Sequence, residues 1–207
     1  MKKIAILVDL ELNKVAGGHV KFWERVCNSL GANYQQLNLS VFFLGKKFTK
    51  KRVSKNITFY TLKPIISSGL LKPVGVDADI TDLSPINLKL FLMLRGFDII
   101  HSTDQLFCMA KTATYASKFW KIPLTTSLHT DTPAYTEYYV KNIFKKSTRL
   151  FNQLFIKKIK LHKLLSNNQK NKQISYIRNC VYAMVDHGVQ LKNCLLYTSP
   201  SPRDVST

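Results

Sequence analysis

Short apolar segments alternate with longer amphipathic ones along this chain, and this alternation restricts its fold more than any other feature. Short continuous apolar runs are typical of strands buried on both faces, and apolar residues at helical spacing are typical of helices packed on a sheet. Val20, Trp23 and Cys27, for example, fall on one face of the first predicted helix. The predicted strands are 4–8, 37–44, 57–62, 99–100, 124–128 and 181–185. The predicted helices are 18–30, 83–95, 105–120, 135–144 and 149–165.

Strands separated by helices predict an α/β fold, a Rossmann-like doubly wound parallel sheet. A chain of 207 residues, 45% of them hydrophobic, can form one such domain with a real core. Segment 65–81 is ambiguous, 167–172 is predicted to be a polar break, and a further helix is predicted to begin at Gly188. Ligands on such sheets bind beyond the carboxyl ends of the strands, so the loops after Val8, Ser102 and Leu128 are the candidates for a site.

The last residues do not resemble natural protein sequence. Residues 194–204 can be translated back into a DNA string that resembles a transposase-based sequencing adapter. We therefore expect 1–193 to be the folded domain, cut short before a second domain, and 194–207 to be a disordered, adapter-derived tail. The alternative is a natural Ser/Pro-rich tail.

The chain is strongly basic, with 31 Lys and Arg against 12 Asp and Glu and a net charge of +19. Such a balance favours a polyanionic partner, nucleic acid or an anionic membrane, although Lys, Asn and Ile also share AT-rich codons. No run of about 18 apolar residues is present, so no segment is predicted to span a membrane. The four cysteines form no CxxC pair, which argues against a zinc site or disulfides and fits a reducing cytoplasm.

The first candidate site is the loop Ala16-Gly17-Gly18-His19, between the first strand and the first helix. Paired glycines let backbone N–H groups approach a ligand, and a helix amino terminus favours anions, so Gly17 and Gly18 could hold a diphosphate. The alternative is that Gly17 and Gly18 only form a turn and bind no ligand. The GxGxxG and P-loop motifs are absent, which disfavours NAD and ATP but leaves another phosphorylated ligand open.

Two further candidates follow strands of the predicted sheet. His129, Thr130 and Asp131 come at the end of the 124–128 strand, and His101 and Asp104 follow the 99–100 strand. If these strands are neighbours, the two polar loops form one pocket, in which Asp131 or Thr130 could orient His129. A structural role for either histidine is the alternative.

These segments resemble the amino-terminal domain of the retaining glycosyltransferases of family four, which have the two-Rossmann-domain (GT-B) fold. The resemblance covers most of residues 3–193 and rests on three segments in the family's order: 17–25 (GGHVKFWER), 97–102 (FDIIHS) and 122–135 (IPLTTSLHTDTPAY).

The resemblance implies that Gly17 and Gly18 contact the donor diphosphate and that His129 is the catalytic residue beside the reacting sugar. It implies that Thr130, Asp131 and Tyr135 line the acceptor side, to which the position of the neighbouring polar loop adds His101 and Asp104. It implies a hexosyltransferase that moves a sugar from a nucleotide-sugar donor to a saccharide or lipid-linked acceptor with retention, as in cell-envelope polysaccharide synthesis. No cofactor and no metal are expected. The family's donor-binding residues lie in the carboxyl-terminal domain and have no counterpart here, so this fragment is expected to be inactive by itself.

Two basic segments suggest partners. Residues 141–185 contain eleven Lys or Arg and no Asp or Glu, and Phe151, Leu154, Phe155 and Ile159 would share one face of a basic amphipathic helix. Such a helix can lie on an anionic membrane, which would place the protein on the inner face of the cytoplasmic membrane. The alternative is that its apolar face packs on the sheet. Residues 46–55 are predicted to form an exposed basic loop.

Charge alone also allows a nucleic-acid binder or another phosphate-binding Rossmann domain. No element that reads bases is visible, so no nucleic-acid partner is expected. An epimerase-like enzyme is disfavoured because the early GxGxxG and a Tyr-x-x-x-Lys dyad are both missing.

Overall fold

The computed structural model describes residues 1–13, 17–33, 37–74, 80–129, 131–146 and 152–186. Its strands are β1 (Lys2–Glu11), β2 (Leu37–Leu44), β3 (Thr49–Ser54), β4 (Ile57–Leu62), β5 (Ile99–Ser102) and β6 (Leu124–Thr126). Its α-helices are α1 (Gly18–Asn33), α2 (Leu88–Leu94), α3 (Cys108–Trp120), α4 (Thr132–Lys146) and α5 (Leu161–Asp186). A 3-10 helix covers Ser68–Val74, and a π-helical segment covers Asn152–Lys158.

The six strands form one sheet in the order β3-β4-β2-β1-β5-β6. All neighbours are parallel except β3 and β4, which form an antiparallel hairpin at one edge. The predicted α/β, Rossmann-like doubly wound sheet is therefore confirmed. The strand order reverses direction beside β1, because β2 lies on one side of it and β5 on the other. The crevice above the carboxyl ends of β1 and β5 is the usual ligand site of such sheets.

Alternate residues of the central strands supply two separate cores. Ala5 and Leu7 of β1 face the side that α2, α3 and α5 cover, whereas Ile6 and Val8 face the side that α1 covers. All four side chains are buried. A strand buried on both faces has no need for polar residues, which is why β1 reads as an apolar run rather than as an alternating pattern.

The predicted basic loop 46–55 is wrong, because Thr49–Ser54 is strand β3. Its residues pair with β4, and the Oγ1 atoms of Thr49 and Thr61 are 2.7 Å apart. Lys50, Lys51 and Arg52 lie exposed on this edge strand. Charged side chains at a sheet edge discourage pairing with other chains, so the basic run is compatible with a strand there.

The predicted break at 167–172 and the predicted strand 181–185 are also wrong, because both lie within α5. No Gly or Pro interrupts Leu161–Asp186, so a run of Asn and Lys does not end the helix. His162, Ser166, Tyr176 and Cys180 are buried at helical spacing along α5. Packing of that face on the sheet and on α4 maintains the helix through its polar stretch.

The predicted helix 149–165 is wrong as a single element. Residues 152–158 are π-helical, and Lys160 adopts a left-handed conformation with φ of 52° before α5 begins. The apolar side chains predicted to share one face are therefore not held in one α-helix. Phe155 stacks on Phe144 of α4 with 5.2 Å between the ring centroids, while Leu154 remains exposed.

Helix α2 begins later than predicted. Asn87, not Ser84, is the N-cap, and its side chain accepts a hydrogen bond from the backbone N–H of Leu90 at 3.0 Å. Pro85 follows Ser84 and disfavours a helical conformation for it. The Ser84 hydroxyl instead donates to the Cys108 sulfur at 3.0 Å.

Several predictions fall outside the described residues: Thr130, Phe151, the helix from Gly188, and the boundary near Asn193 with the tail 194–207. Within the described part of the chain, no helix is both long enough and apolar enough to cross a membrane.

Candidate functional site

Three histidines from three different segments meet at the carboxyl edge of the sheet. His19 lies in the first turn of α1, His101 is in β5, and His129 follows β6. The rings of His19 and His129 are stacked, with 4.3 Å between centroids and 19° between planes. The two loops that the sequence predicted to be neighbours are brought together, because β5 and β6 are adjacent parallel strands.

Hydroxyl groups link His101 to His129. The Nδ1 atom of His101 lies 2.9 Å from Oγ1 of Thr125, and its Nε2 atom lies 3.0 Å from Oγ of Ser127. The same Ser127 oxygen is 2.7 Å from Nε2 of His129. Both ring nitrogens of His101 are thus bonded within the protein, whereas no described residue is hydrogen-bonded to Nδ1 of His129. His101 therefore positions His129 through Ser127 rather than offering a nitrogen of its own.

Burial keeps the three imidazoles neutral. It lowers the pKa of His19 to about 3, and repulsion between protonated imidazoles of His19, His129 and His101 acts in the same direction. Burial and the neighbouring His129 lower the pKa of His101 to about 4, and burial also lowers the pKa of His129. A neutral imidazole has one donor and one acceptor nitrogen, which suits hydrogen bonds to hydroxyl groups better than it suits binding of a free anion.

Aromatic side chains of α1 complete the wall of the crevice. Trp23 lies 5.5 Å from His101 and 6.3 Å from His129 between ring centroids, and Phe22 lies 5.6 Å from His129. The Nε1 atom of Trp23 and the Nε2 atom of His19 are buried and have no hydrogen-bond partner among the described residues. Unpaired buried polar atoms are costly, so a polar ligand that reached these two atoms from the crevice would be favoured.

Gly17 and Gly18 stand at the entrance of the same crevice. Gly18 is the first residue of α1 and Gly17 directly precedes it, so their backbone N–H groups lie at a helix amino terminus. A side chain at Gly18 would meet no atom of the described chain within 4 Å. No described atom therefore fills the space beside Gly18 at the amino terminus of α1, as an anion site requires.

One of the acidic candidates binds the turn before a helix, and the other caps a helix. Asp104 accepts hydrogen bonds from the N–H groups of Leu106 and Phe107, both at 2.7 Å, just before α3, and burial raises its pKa. Asp131 accepts from the N–H of Ala134 at 3.2 Å, in the first turn of α4. Neither carboxylate is hydrogen-bonded to His129, whose described partner is Ser127. Thr130, the other residue predicted to orient His129, lies outside the described residues. Tyr135 lies half-exposed in the first turn of α4.

Asp9, near the carboxyl end of β1, connects β1 to two neighbouring segments through backbone hydrogen bonds. Its two carboxylate oxygens accept from the N–H of Asp82 at 3.1 Å and from the N–H of Met109 at 2.8 Å. Burial raises the pKa of Asp9 to about 8 although both hydrogen bonds favour the ionised form. These bonds hold the start of α3 and the 80–84 segment against β1.

Gln105 supports the His129 loop from below. Its Nε2 atom donates to Oγ1 of Thr126 at 2.9 Å and to the carbonyl of Ser127 at 2.8 Å. Gln173 of α5 donates in turn to Oε1 of Gln105 at 3.0 Å. The backbone of Ser127 is thus fixed, and with it the hydroxyl that joins the two histidines.

Sequence reasoning gave no role to His19, Trp23 or Ser127, although His19 and Ser127 lay within the candidate segments. His19 was visible beside the glycine pair, but Trp23 fitted the apolar face of α1 and was taken as core. Ser127 carried no signal of its own in a Thr/Ser-rich strand end. In the part of the chain that the structure describes, no group of three or more His, Cys, Asp or Glu is arranged to hold a metal ion.

No protein-family model matches the chain, and no curated protein matches it. The fold and the geometry of the crevice are therefore the grounds for a functional proposal.

Proposed function

We propose that this chain is the amino-terminal, acceptor-side domain of a retaining hexosyltransferase that uses a nucleotide-sugar donor. The observation that carries the proposal is the meeting of the glycine pair with three neutral histidines at the point where the strand order reverses. A nucleotide sugar offers a diphosphate and several hydroxyl groups, and the crevice provides complementary groups for both. The resemblance to family-four glycosyltransferases favours the same ligand.

The groups fit the charges that develop in such a transfer. The bond between the anomeric carbon and the diphosphate oxygen breaks, the acceptor oxygen bonds to the anomeric carbon on the same face, and the acceptor proton passes to the leaving diphosphate. N–H groups of Gly17 and Gly18 would stabilise the growing negative charge on that diphosphate. Nδ1 of His129 and Nε2 of His19 would bond sugar hydroxyls beside the reacting carbon.

The proposal assigns the remaining donor contacts to a second domain on the far side of the crevice. We therefore propose to assay transfer with the chain joined to that domain in its natural gene. Nucleoside diphosphate release is measured over a panel of nucleotide sugars and saccharide or lipid-linked acceptors. The anomeric configuration of the product is read by NMR.

Replacement of His129 by Ala is expected to lower kcat about 100-fold or more, as loss of one transition-state hydrogen bond does in other enzymes. Tyr135→Ala is expected to raise KM for the acceptor. Tyr138→Ala is the matched control, since Tyr138 is an exposed tyrosine of the same helix. Near-normal turnover of the His129 variant would refute the catalytic assignment.

Gly18→Ala tests the diphosphate site separately. The added methyl group meets no described atom within 4 Å, so the fold is expected to persist while a diphosphate loses close approach to the backbone. Affinity for a nucleoside diphosphate should fall about tenfold or more, as measured by isothermal titration calorimetry, and unchanged affinity would place the diphosphate elsewhere.

A further inference from the structure

The outward surface of α2 and α3 presents large apolar side chains to solvent. Leu88 and Leu92 are 67% and 65% exposed, and Tyr115 and Phe119 are 55% and 68% exposed. The members of each pair are four residues apart, so they lie side by side on one face of their helix. The two helices pack against each other, and their opposite faces enter the core. We call this outward surface the α2–α3 face.

Basic side chains lie on and beside the same two helices. Lys89 and Arg95 on the α2 side and Lys118 and Lys121 on the α3 side are all exposed. Neither helix contains Asp or Glu. The carboxylate that follows α2, Asp98, accepts a hydrogen bond from the backbone N–H of Lys3 at 2.7 Å. The α2–α3 face is therefore both apolar and positively charged.

Aromatic rings pack together under the α2–α3 face. Phe91 lies 5.8 Å from Phe119 and 5.5 Å from Trp120 between ring centroids. The Arg95 guanidinium lies 5.1 Å from the centre of the Trp120 ring. The exposed side chains thus rest on a packed layer, which limits the entropy they would lose on contact with a partner.

We propose that the α2–α3 face binds an anionic lipid surface. Leu88, Leu92 and Phe119 would enter the boundary between headgroups and acyl chains, and the surrounding cations would contact lipid phosphates. Lys and Arg beside apolar groups suit this location, because their stems lie along apolar surface while their charges stay in water. A nucleic-acid backbone would satisfy the cations but would leave the leucines unburied.

This surface differs from the crevice in position. The crevice opens at the carboxyl edge of the sheet, whereas the α2–α3 face looks away from one flat side of it. A second domain facing the crevice would leave the α2–α3 face uncovered. The inference concerns membrane contact alone and does not depend on sugar transfer.

The test is flotation of the chain with vesicles of phosphatidylcholine alone or mixed with phosphatidylglycerol. We expect flotation with the anionic vesicles only, weakened by high salt because screening reduces attraction between charges. Leu88→Ser with Leu92→Ser is expected to weaken the partition coefficient about tenfold for each leucine removed. Leu164→Ser is the matched control, since Leu164 is a comparably exposed leucine on basic helix α5.

A fluorescence measurement shows which face meets the lipid. The chain has two tryptophans, Trp120 beneath the α2–α3 face and Trp23 in the crevice. Brominated anionic lipid should quench Trp120 in a Trp23→Phe protein and leave Trp23 unquenched in a Trp120→Phe protein. Circular dichroism shows that each variant is folded.

Three outcomes would overturn the proposal. One is failure of the folded chain to float with anionic vesicles. Another is flotation that the double leucine variant retains or that Leu164→Ser abolishes. The third is binding to duplex or single-stranded DNA that exceeds vesicle binding and is insensitive to the leucine substitutions, which would assign the charge to nucleic acid.

Discussion

Acid should destabilise this protein through its histidine cluster, and His101 offers the clearest test. Its pKa is lowered from 6.5 to about 4 by burial and by His129. In the unfolded chain His101 takes up a proton as the pH falls through 6.5, but the folded protein resists that proton until about pH 4. The unfolded state therefore binds more protons in this window, and the free energy of unfolding falls as the pH decreases.

The structure sets the size of the effect. At about 1.4 kcal/mol per pKa unit, the lowered pKa of His101 corresponds to up to about 3 kcal/mol of stability that is present at pH 7 and lost by pH 4. That loss is a large fraction of the roughly 5–15 kcal/mol that stabilises a typical domain. His19 and His129, whose pKa values are also lowered, act in the same direction.

The comparison is between the wild-type chain and His101→Gln, since glutamine keeps a polar group toward Ser127 but does not titrate. Urea unfolding, followed by tryptophan fluorescence, gives the free energy of unfolding at pH 7, 6, 5 and 4. Titration of carboxylates affects both proteins, so it cancels in their difference. The wild type should lose up to about 3 kcal/mol more than the variant across this range. Two parallel curves would refute the argument, because they would show that His101 is protonated as easily when folded as when unfolded.

Three further predictions concern stability in urea. Asp9→Ala should cost about 2–4 kcal/mol, because it leaves the buried N–H groups of Asp82 and Met109 without an acceptor, and a loss below about 1 kcal/mol would contradict that role. Leu94→Ala should cost about 2–5 kcal/mol through the cavity it opens in the fully buried α2 contact, and a near-neutral effect would mean that the site collapses around it. Lys121→Gly should raise stability by up to about 1 kcal/mol, because Lys121 has a φ of 52° that glycine adopts without strain, and a loss of stability would show that its side chain matters more than its backbone.

The central strands were predictable because a strand buried on both faces contains mostly consecutive apolar residues. Strands β1 and β2 contain apolar runs, β4 is rich in β-branched and aromatic residues, and the helices α1 and α3 have apolar residues at helical spacing. Strand β3 was missed because an exposed edge strand needs no apolar pattern and carries lysines instead. Helix α5 was misjudged at 167–172 and 181–185 because its polar stretch is maintained by tertiary packing on α4 and the sheet.

The candidate site was also predictable in part from the sequence. Its position at the carboxyl edge, and the presence there of Gly17, Gly18, His101 and His129, followed from strand order and from loops at strand ends. The stacking of His19 on His129 and the bridge through Ser127 could not be predicted, because residues far apart in the chain carry no mutual signal in a single sequence.

The sequence by itself determined the alternation of strands and helices, the large positive charge and the edge of the sheet at which polar loops gather. These are local properties, fixed by side-chain spacing and composition. Only the tertiary structure decided which groups meet. The two nitrogens of His101 face hydroxyl groups within the protein, the Asp104 carboxylate binds N–H groups of the turn before α3, and Asp131 caps α4. Apolar side chains of α2 and α3 remain exposed to water. Each of these depends on how distant elements pack, because packing determines which polar groups find partners and which apolar groups remain uncovered.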